Sequence, residues 1–209
     1  MRNFRVGTVG GIPIRINVTL VLFLPVLAWL IAGGGQITVY VGLIGAVSSQ
    51  QLSAPTLQAG NTEWVIGFAG AVGLFGSVLL HELGHAWMAR RYGVGIVSIT
   101  LWISGGMARM AEIPDEWHKE LWLALAGPAV SIALGVGGVA ALWAVPTSLP
   151  VLAFVVGFQG VVNLTLVVFN LLPAFPMDGG GCCGRFWPAP GRTPRRPGPP
   201  RRSARGWPC

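Results

Sequence analysis

Charge is what this chain has least of. Only 10% of its residues are charged, and Asp and Glu together number seven in 209. Soluble domains carry about 25% charged residues, so the composition argues against a soluble globular fold. Cysteine is equally scarce: Cys182, Cys183 and Cys209 all follow Gly181. That placement excludes a disulfide framework and offers no recognisable cysteine zinc spacing. A cleavable leader is not evident either. The first apolar run lacks the usual small-residue cleavage site and is expected to remain as a membrane span. An excess of one charge sign is also missing from most of the chain. Before residue 182 the cations Arg2, Arg5, Arg15, Arg90, Arg91, Arg109 and Lys119 are balanced by Glu63, Glu82, Glu112, Asp115, Glu116, Glu120 and Asp178. The formal +7 comes wholly from Arg185, Arg192, Arg195, Arg196, Arg201, Arg202 and Arg205. A nucleic-acid role would rest on that tail alone, and no nucleic-acid partner is expected.

What the chain does contain is apolar sequence, 53% of its residues, with a mean hydropathy of +0.64. The pattern predicts an all-α polytopic membrane protein with about four transmembrane helices and a small cytoplasmic-side β-sheet or hairpin. The expected spans are roughly 16–32, 64–90, 121–145 and 149–172, each long enough or nearly so to cross a bilayer. Residues 4–16 alternate loosely around a Gly10-Gly11 break and read as short strands. The run 37–48 is too short to span as a helix and reads as re-entrant or interfacial. Residues 49–62 are polar and flexible in composition, and their role is open. Residues 94–111 read as a β-hairpin turning at Gly105-Gly106. Trp122 and Trp143 fit interfacial anchors of the third span. With four alternating spans, the seven cations before residue 182 fall on one side. The positive-inside rule makes that side cytoplasmic, N-terminus included, most simply at the cell membrane.

The chemistry centres on His81-Glu82-Leu83-Gly84-His85, an H-E-x-x-H motif inside the second span. On a helix the histidines lie one turn apart on one face, within reach of one metal ion. Zinc accepts neutral imidazole nitrogens and keeps a position open in catalytic sites. Glu82 is then placed to take a proton from the attacking water. Counting back from Arg90, His85 and His81 lie about 8 and 14 Å in from the cytoplasmic edge at 1.5 Å per residue. A third protein ligand is needed, and acids are few. Glu63 belongs at the opposite face, and Glu112, Asp115, Glu116 and Glu120 belong to the cytoplasmic loop. Asp178 remains, just past span four, where Pro173 and Pro176 end the helix. His118 reads as a solvated loop histidine. Gly67, Gly70, Gly73 and Gly76 form a small-residue stripe suited to close helix contact, or to nothing more than ordinary tolerance of glycine.

HELGH, followed by Asn170-Leu171-Leu172-Pro173-Ala174-Phe175-Pro176-Met177-Asp178-Gly179-Gly180, resembles the site-2 protease family of intramembrane zinc metalloproteases. Ala126-Gly127-Pro128-Ala129-Val130-Ser131 and Gly11-Ile12-Pro13-Ile14 are similar to further family segments. The resemblance covers residues 1–180. It implies one zinc ion held by His81, His85 and Asp178, with Glu82 as general base. It also implies a substrate that is itself a transmembrane protein segment, cut in regulated intramembrane proteolysis. By analogy, the edge of the small sheet would hold unwound substrate as an added strand.

Asn163 and Asn170 lie on one face of span four. They are candidates for binding substrate backbone or keeping the cavity wet, with ordinary interhelical bonding as the alternative. Two other functions stay open: a catalytically inactive truncated membrane protein or adaptor, and a membrane-associated H-E-x-x-H peptidase acting on extramembrane chains. Residues 181–209 change character to Arg, Pro and Gly without apolar period and read as disordered. One added nucleotide before codon 181 can restore Arg-Val-Leu-Arg-Ala-Phe-Leu-Ala-Arg, so an out-of-frame tail is expected. A genuine basic tail touching anionic membrane lipid is the alternative. Substrate identity, regulatory partner and oligomeric state leave no trace in the sequence.

Overall fold

The first reversal of the chain is made by Gly10 (φ 55°) and Gly11 (φ 82°). Both occupy the left-handed region that glycine adopts without strain, as a tight hairpin requires. In the computed structural model, which describes residues 3–33, 35–103, 105–110 and 116–172, this turn joins β1 (Asn3–Val9) to β2 (Ile12–Asn17). β2 runs directly into α1 (Val18–Gly33). Asn17 makes the junction: its Oδ1 accepts from the Thr19 backbone N–H at 2.9 Å, and its Nδ2 donates to Asn3 Oδ1 at 2.7 Å. That is an N-cap, satisfying a backbone donor the helix cannot.

α2 (Gln36–Val47) is set at 68° to α1, and the short α3 (Ala54–Leu57) follows. α4 (Thr62–Arg91) carries the motif. Then come β3 (Ile96–Trp102), β4 (Gly105–Met110), α5 (Trp117–Ala141) and α6 (Pro150–Leu171). α4, α5 and α6 are each long and apolar enough to cross a membrane, and α1 with α2 makes a fourth only as one bent span. At 16 residues, α1 is about 24 Å long, because β2 takes the residues assigned above to the start of the first span.

The sheet order is β1-β2-β3-β4, with β2 and β3 parallel and the outer pairs antiparallel. Alternation along β2 and β3 puts Ile12, Ile14 and Ile99 on one face, packed on Ala86 of α4 with Leu79 and Leu83. Leu101 meets Leu20 of α1 and Phe75 of α4. The sheet therefore rests on the half of α4 that carries the motif. The expected hairpin forms, but it turns earlier than Gly105-Gly106: both glycines already belong to β4, paired with Trp102 and Leu101.

Residues 49–62, whose composition reads as flexible, are instead tied down at Gln50 and Leu57. Leu57 is fully buried together with Ile37 and Ile44 of α2, against Ile66, Leu142, Phe154 and Phe158. Gln50 Nε2 donates to Leu142 O at 2.8 Å and Val145 O at 2.9 Å, satisfying carbonyls left open at the end of α5. Trp122 and Trp143, near the two ends of the α5 region, are both exposed.

The glycine stripe of α4 does not form a single seam. A Cβ on Gly67 would lie 2.3 Å from Ala28 O of α1, whereas one on Gly73 would lie 2.2 Å from Gln159 Nε2 of α6, and one on Gly76 would meet nothing. A three-residue step turns about 300° around the helix, so the stripe drifts from one neighbour to the next. Gly67→Ala should separate α1 from α4 and lower stability by about 1–3 kcal/mol. Thermal unfolding in detergent measures this. Gly76→Ala is the matched control, expected to leave the midpoint unchanged or raise it slightly.

Candidate metal centre

His81 and His85 point from α4 towards α5, and both are buried at 5% and 6% exposure. Their four-residue spacing sets the rings one turn apart and edge to face, at 76° between planes, with Nε2 atoms 3.2 Å from each other. Each Nδ1 is engaged by α5. His85 Nδ1 lies 2.7 Å from Leu123 O, and His81 Nδ1 lies 3.0 Å from Ser131 Oγ. A carbonyl only accepts, so His85 must carry its proton on Nδ1 and present a lone pair at Nε2. Ser131 Oγ can accept in the same way from His81. In that tautomer two lone pairs face one another at 3.2 Å, an arrangement that a shared cation stabilises.

That spacing fits zinc. Zinc–nitrogen bonds of 2.0–2.1 Å at a tetrahedral angle put two ligand nitrogens about 3.3–3.4 Å apart. Clamped Nδ1–H groups on metal-ligating histidines also match the usual outer support of such sites. Among the described residues, no cluster of three His, Cys, Asp or Glu supplies a complete ligand set. Asp178 lies outside the described residues, as do the Pro173–Gly180 segment around it and the 181–209 tail.

α5 approaches this face more closely than side chains would permit. A Cβ on Gly127 would stand 2.2 Å from His85 Nε2 and 2.6 Å from His81 Nε2. A Cβ on Gly84 would stand 2.7 Å from Ala126 O. Leu123, Gly127 and Ser131 are four apart on α5 and make one stripe along the imidazoles. Gly127 and Ser131 fall in a segment already singled out by resemblance. The Leu123 carbonyl is a backbone group and has no sequence signal of its own.

Glu82 projects to the other side, towards the sheet. Its Oε2 accepts from the Ala108 backbone N–H at 2.8 Å. Gly106 leaves room for it, since a Cβ there would lie 2.4 Å from Glu82 Cγ. Neither β4 residue is marked as functional by its side chain. Asn163 is buried between helices, donating to Ser77 Oγ at 2.9 Å and to Gln159 O at 2.8 Å. Its Oδ1 has no partner among the described residues. Asn170 is half-buried in the last turn of α6. His118 is exposed at the start of α5, 3.0 Å from the Glu116 carboxylate.

Known proteins resemble this chain in sequence and fold. The solved structure of the site-2 protease from Methanocaldococcus jannaschii matches with a TM-score of 0.58 and 31% identity, over 88% of this chain and 71% of that one. The chain belongs to the site-2 protease family. The family model for peptidase family M50 matches residues 69–147, which hold the HELGH motif, the hairpin and all of α5. A zinc metalloprotease of Methanocaldococcus jannaschii is 34% identical over 179 residues, 85% of this chain and 43% of its own length. A Synechocystis protein bearing a zinc metalloprotease name is 35% identical over 178 residues, 85% of this chain and 42% of its own. The chain thus spans about two fifths of the length of these sequence relatives.

Gly127→Ala should force a methyl group between α5 and the two Nε2 atoms and abolish zinc uptake. Ser131→Ala should weaken zinc affinity by about 10–100-fold, the usual cost of losing an outer partner. Zinc titration followed by elemental analysis measures both. Full zinc content in Gly127→Ala would contradict the close approach of α5 described above.

Proposed function

We propose that this chain is the metal-bearing core of an intramembrane zinc metalloendopeptidase that cuts a peptide bond within or near transmembrane segments of other proteins. The observation that carries the proposal is the pair of buried, Nδ1-clamped imidazoles at zinc spacing on α4, a helix long and apolar enough to cross a membrane. The names of its relatives support zinc and peptide-bond hydrolysis.

In this reading His81 and His85 supply two ligands to a single zinc ion and Asp178 the third. Bound zinc would polarise the scissile carbonyl and make the attacking water more acidic. The protein's own part is positional and protic. Ser131 and the Leu123 carbonyl hold both imidazoles in the ligating tautomer. Glu82, held on the Ala108 amide before substrate arrives, is the group that takes the proton from water and passes it to the leaving amine, the usual task of the glutamate in this motif. α5, packed over the imidazoles, limits the water reaching the site.

The substrate we propose is a membrane-anchored protein processed in regulated intramembrane proteolysis, unwound and laid as an extra strand along the sheet edge. The cations flanking β2 and α4 support a reading with the N-terminus and sheet on the cytoplasmic side of the cell membrane. Asn170, in the last turn of α6, is the better placed of the two asparagines to meet substrate.

Glu82→Gln should retain zinc and lose cleavage of a single-span reporter by at least about 10²-fold, the scale of general acid–base assistance. Asp178→Asn should instead lower zinc content. Mass spectrometry of the reporter products should place the cut inside the span. A cut confined to extramembrane loops, or unchanged zinc in Asp178→Asn, would contradict this assignment.

A further inference from the structure

β4 is an edge strand, and its inner side is fully described by its pairing with β3. Trp102 and Gly105 close a two-residue turn, so hydrogen-bonded and non-hydrogen-bonded pairs alternate from there. In the observed register this alternation makes Trp102–Gly105, Thr100–Met107 and Ser98–Arg109 the ladder-bonded pairs, and Leu101–Gly106 and Ile99–Ala108 the non-bonded ones. The amides of Gly106 and Ala108 therefore point away from the sheet. An added strand would need those two amides first. One of them is already taken: Ala108 N–H donates to Glu82 Oε2 at 2.8 Å. The Glu82 side chain also lies across Gly106, within the space a Cβ would fill. The carboxylate at the chemical centre and a strand arriving at β4 thus compete for the same backbone donor.

We propose that Ala108 is a positioning residue whose outward amide is exchanged on substrate entry. In the resting protein it seats Glu82 against β4. An extended peptide adding to β4 supplies a carbonyl to that amide, and Glu82 swings off the strand towards the histidines. The base is thereby released only when a strand is present. This step rests on the strand-addition reading given above, but its test does not depend on hydrolysis.

Two measurements on the full chain in detergent micelles decide it. The first is amide hydrogen exchange. Ala108 should be protected in the wild type although β4 has no outer neighbour among the described residues, and Glu82→Ala should open it while Met107 and Arg109, paired inward with β3, stay protected. The second is binding of a fluorescent hexapeptide of alternating valine and threonine. Glu82→Ala should bind it about tenfold more tightly than wild type, because no charge-assisted hydrogen bond must be broken first. Bound peptide should protect the Gly106 and Ala108 amides in both proteins. Glu82→Gln, whose amide oxygen can still accept from Ala108 but without charge, should fall between. Equal or weaker binding by Glu82→Ala would overturn the exchange, as would peptide that binds while leaving Ala108 exchange unchanged. Loss of cleavage with the binding pattern intact would count against the protease reading and leave the exchange standing.

Discussion

Everything at this centre depends on how closely the backbones of α4 and α5 approach. Imidazoles buried in an apolar bundle need partners for both nitrogens, because an unmet polar group is costly there. α5 meets that need with a carbonyl and a hydroxyl, Leu123 O and Ser131 Oγ. Neither reaches the rings unless the helix axis is drawn in, and two missing side chains permit this. Gly84 lets α4 touch the Ala126 carbonyl, and Gly127 lets α5 lie over the Nε2 pair. The Leu123 carbonyl has two lone pairs, so it can serve its own helix and His85 together. Tautomer, ring orientation and ligand spacing all follow from one close helix contact.

That contact also sets the role of the sheet. One side of α4 is committed to α5, and Glu82 and Leu83, between the histidines, face the sheet. Ala86 and Leu83 bury against Ile12, Ile14 and Ile99, which fixes the sheet to the same stretch of helix. Glu82 then emerges at the margin of β4 and finds the Ala108 amide. The sheet is thus more than an adjoining subdomain. It holds the carboxylate that a metal ion on the histidine pair would use, and it joins the site to a strand edge that has no further strand among the described residues.

The sequence reveals those parts of the site that have side-chain signatures. The i, i+4 histidines, the alternation of β2 and β3 and the double glycine after Val9 each correspond to one local geometry, and each is found. Ala108 and Leu123 act through backbone atoms, which any residue type supplies, so no composition could mark them. Gly106 reads as a turn glycine and is used as a strand glycine, because the clearance it gives Glu82 appears only once α4 and β4 are adjacent. The polar 49–62 segment shows the opposite error. Its polarity suggests mobility, yet Leu57 buries completely and Gln50 turns inward to bond α5. Long-range packing decided these cases, and local pattern does not report it.

The same reasoning extends to α6, the helix that precedes the proposed third ligand. Its rotation and height relative to α4 are set by polar contacts as well as by apolar ones. Gln159 Nε2 donates to Gly70 O at 3.0 Å, and Asn163 Nδ2 donates to Ser77 Oγ one turn before His81. On its other side, Gly160 packs against Gly138 of α5 so closely that a Cβ on Gly138 would lie 2.9 Å from Gly160 Cα. Apolar side chains alone would let a helix slide or rotate in lipid at little cost, since lipid tails are as apolar as leucine. A donor that must meet one carbonyl, and a glycine that must face one backbone, permit a single register. Asn163 therefore bears on the metal centre without touching it. It fixes the helix from whose end the chain departs towards Asp178, so an error of one turn in α6 would displace that departure point by about 5.4 Å, more than twice the length of a zinc–oxygen bond.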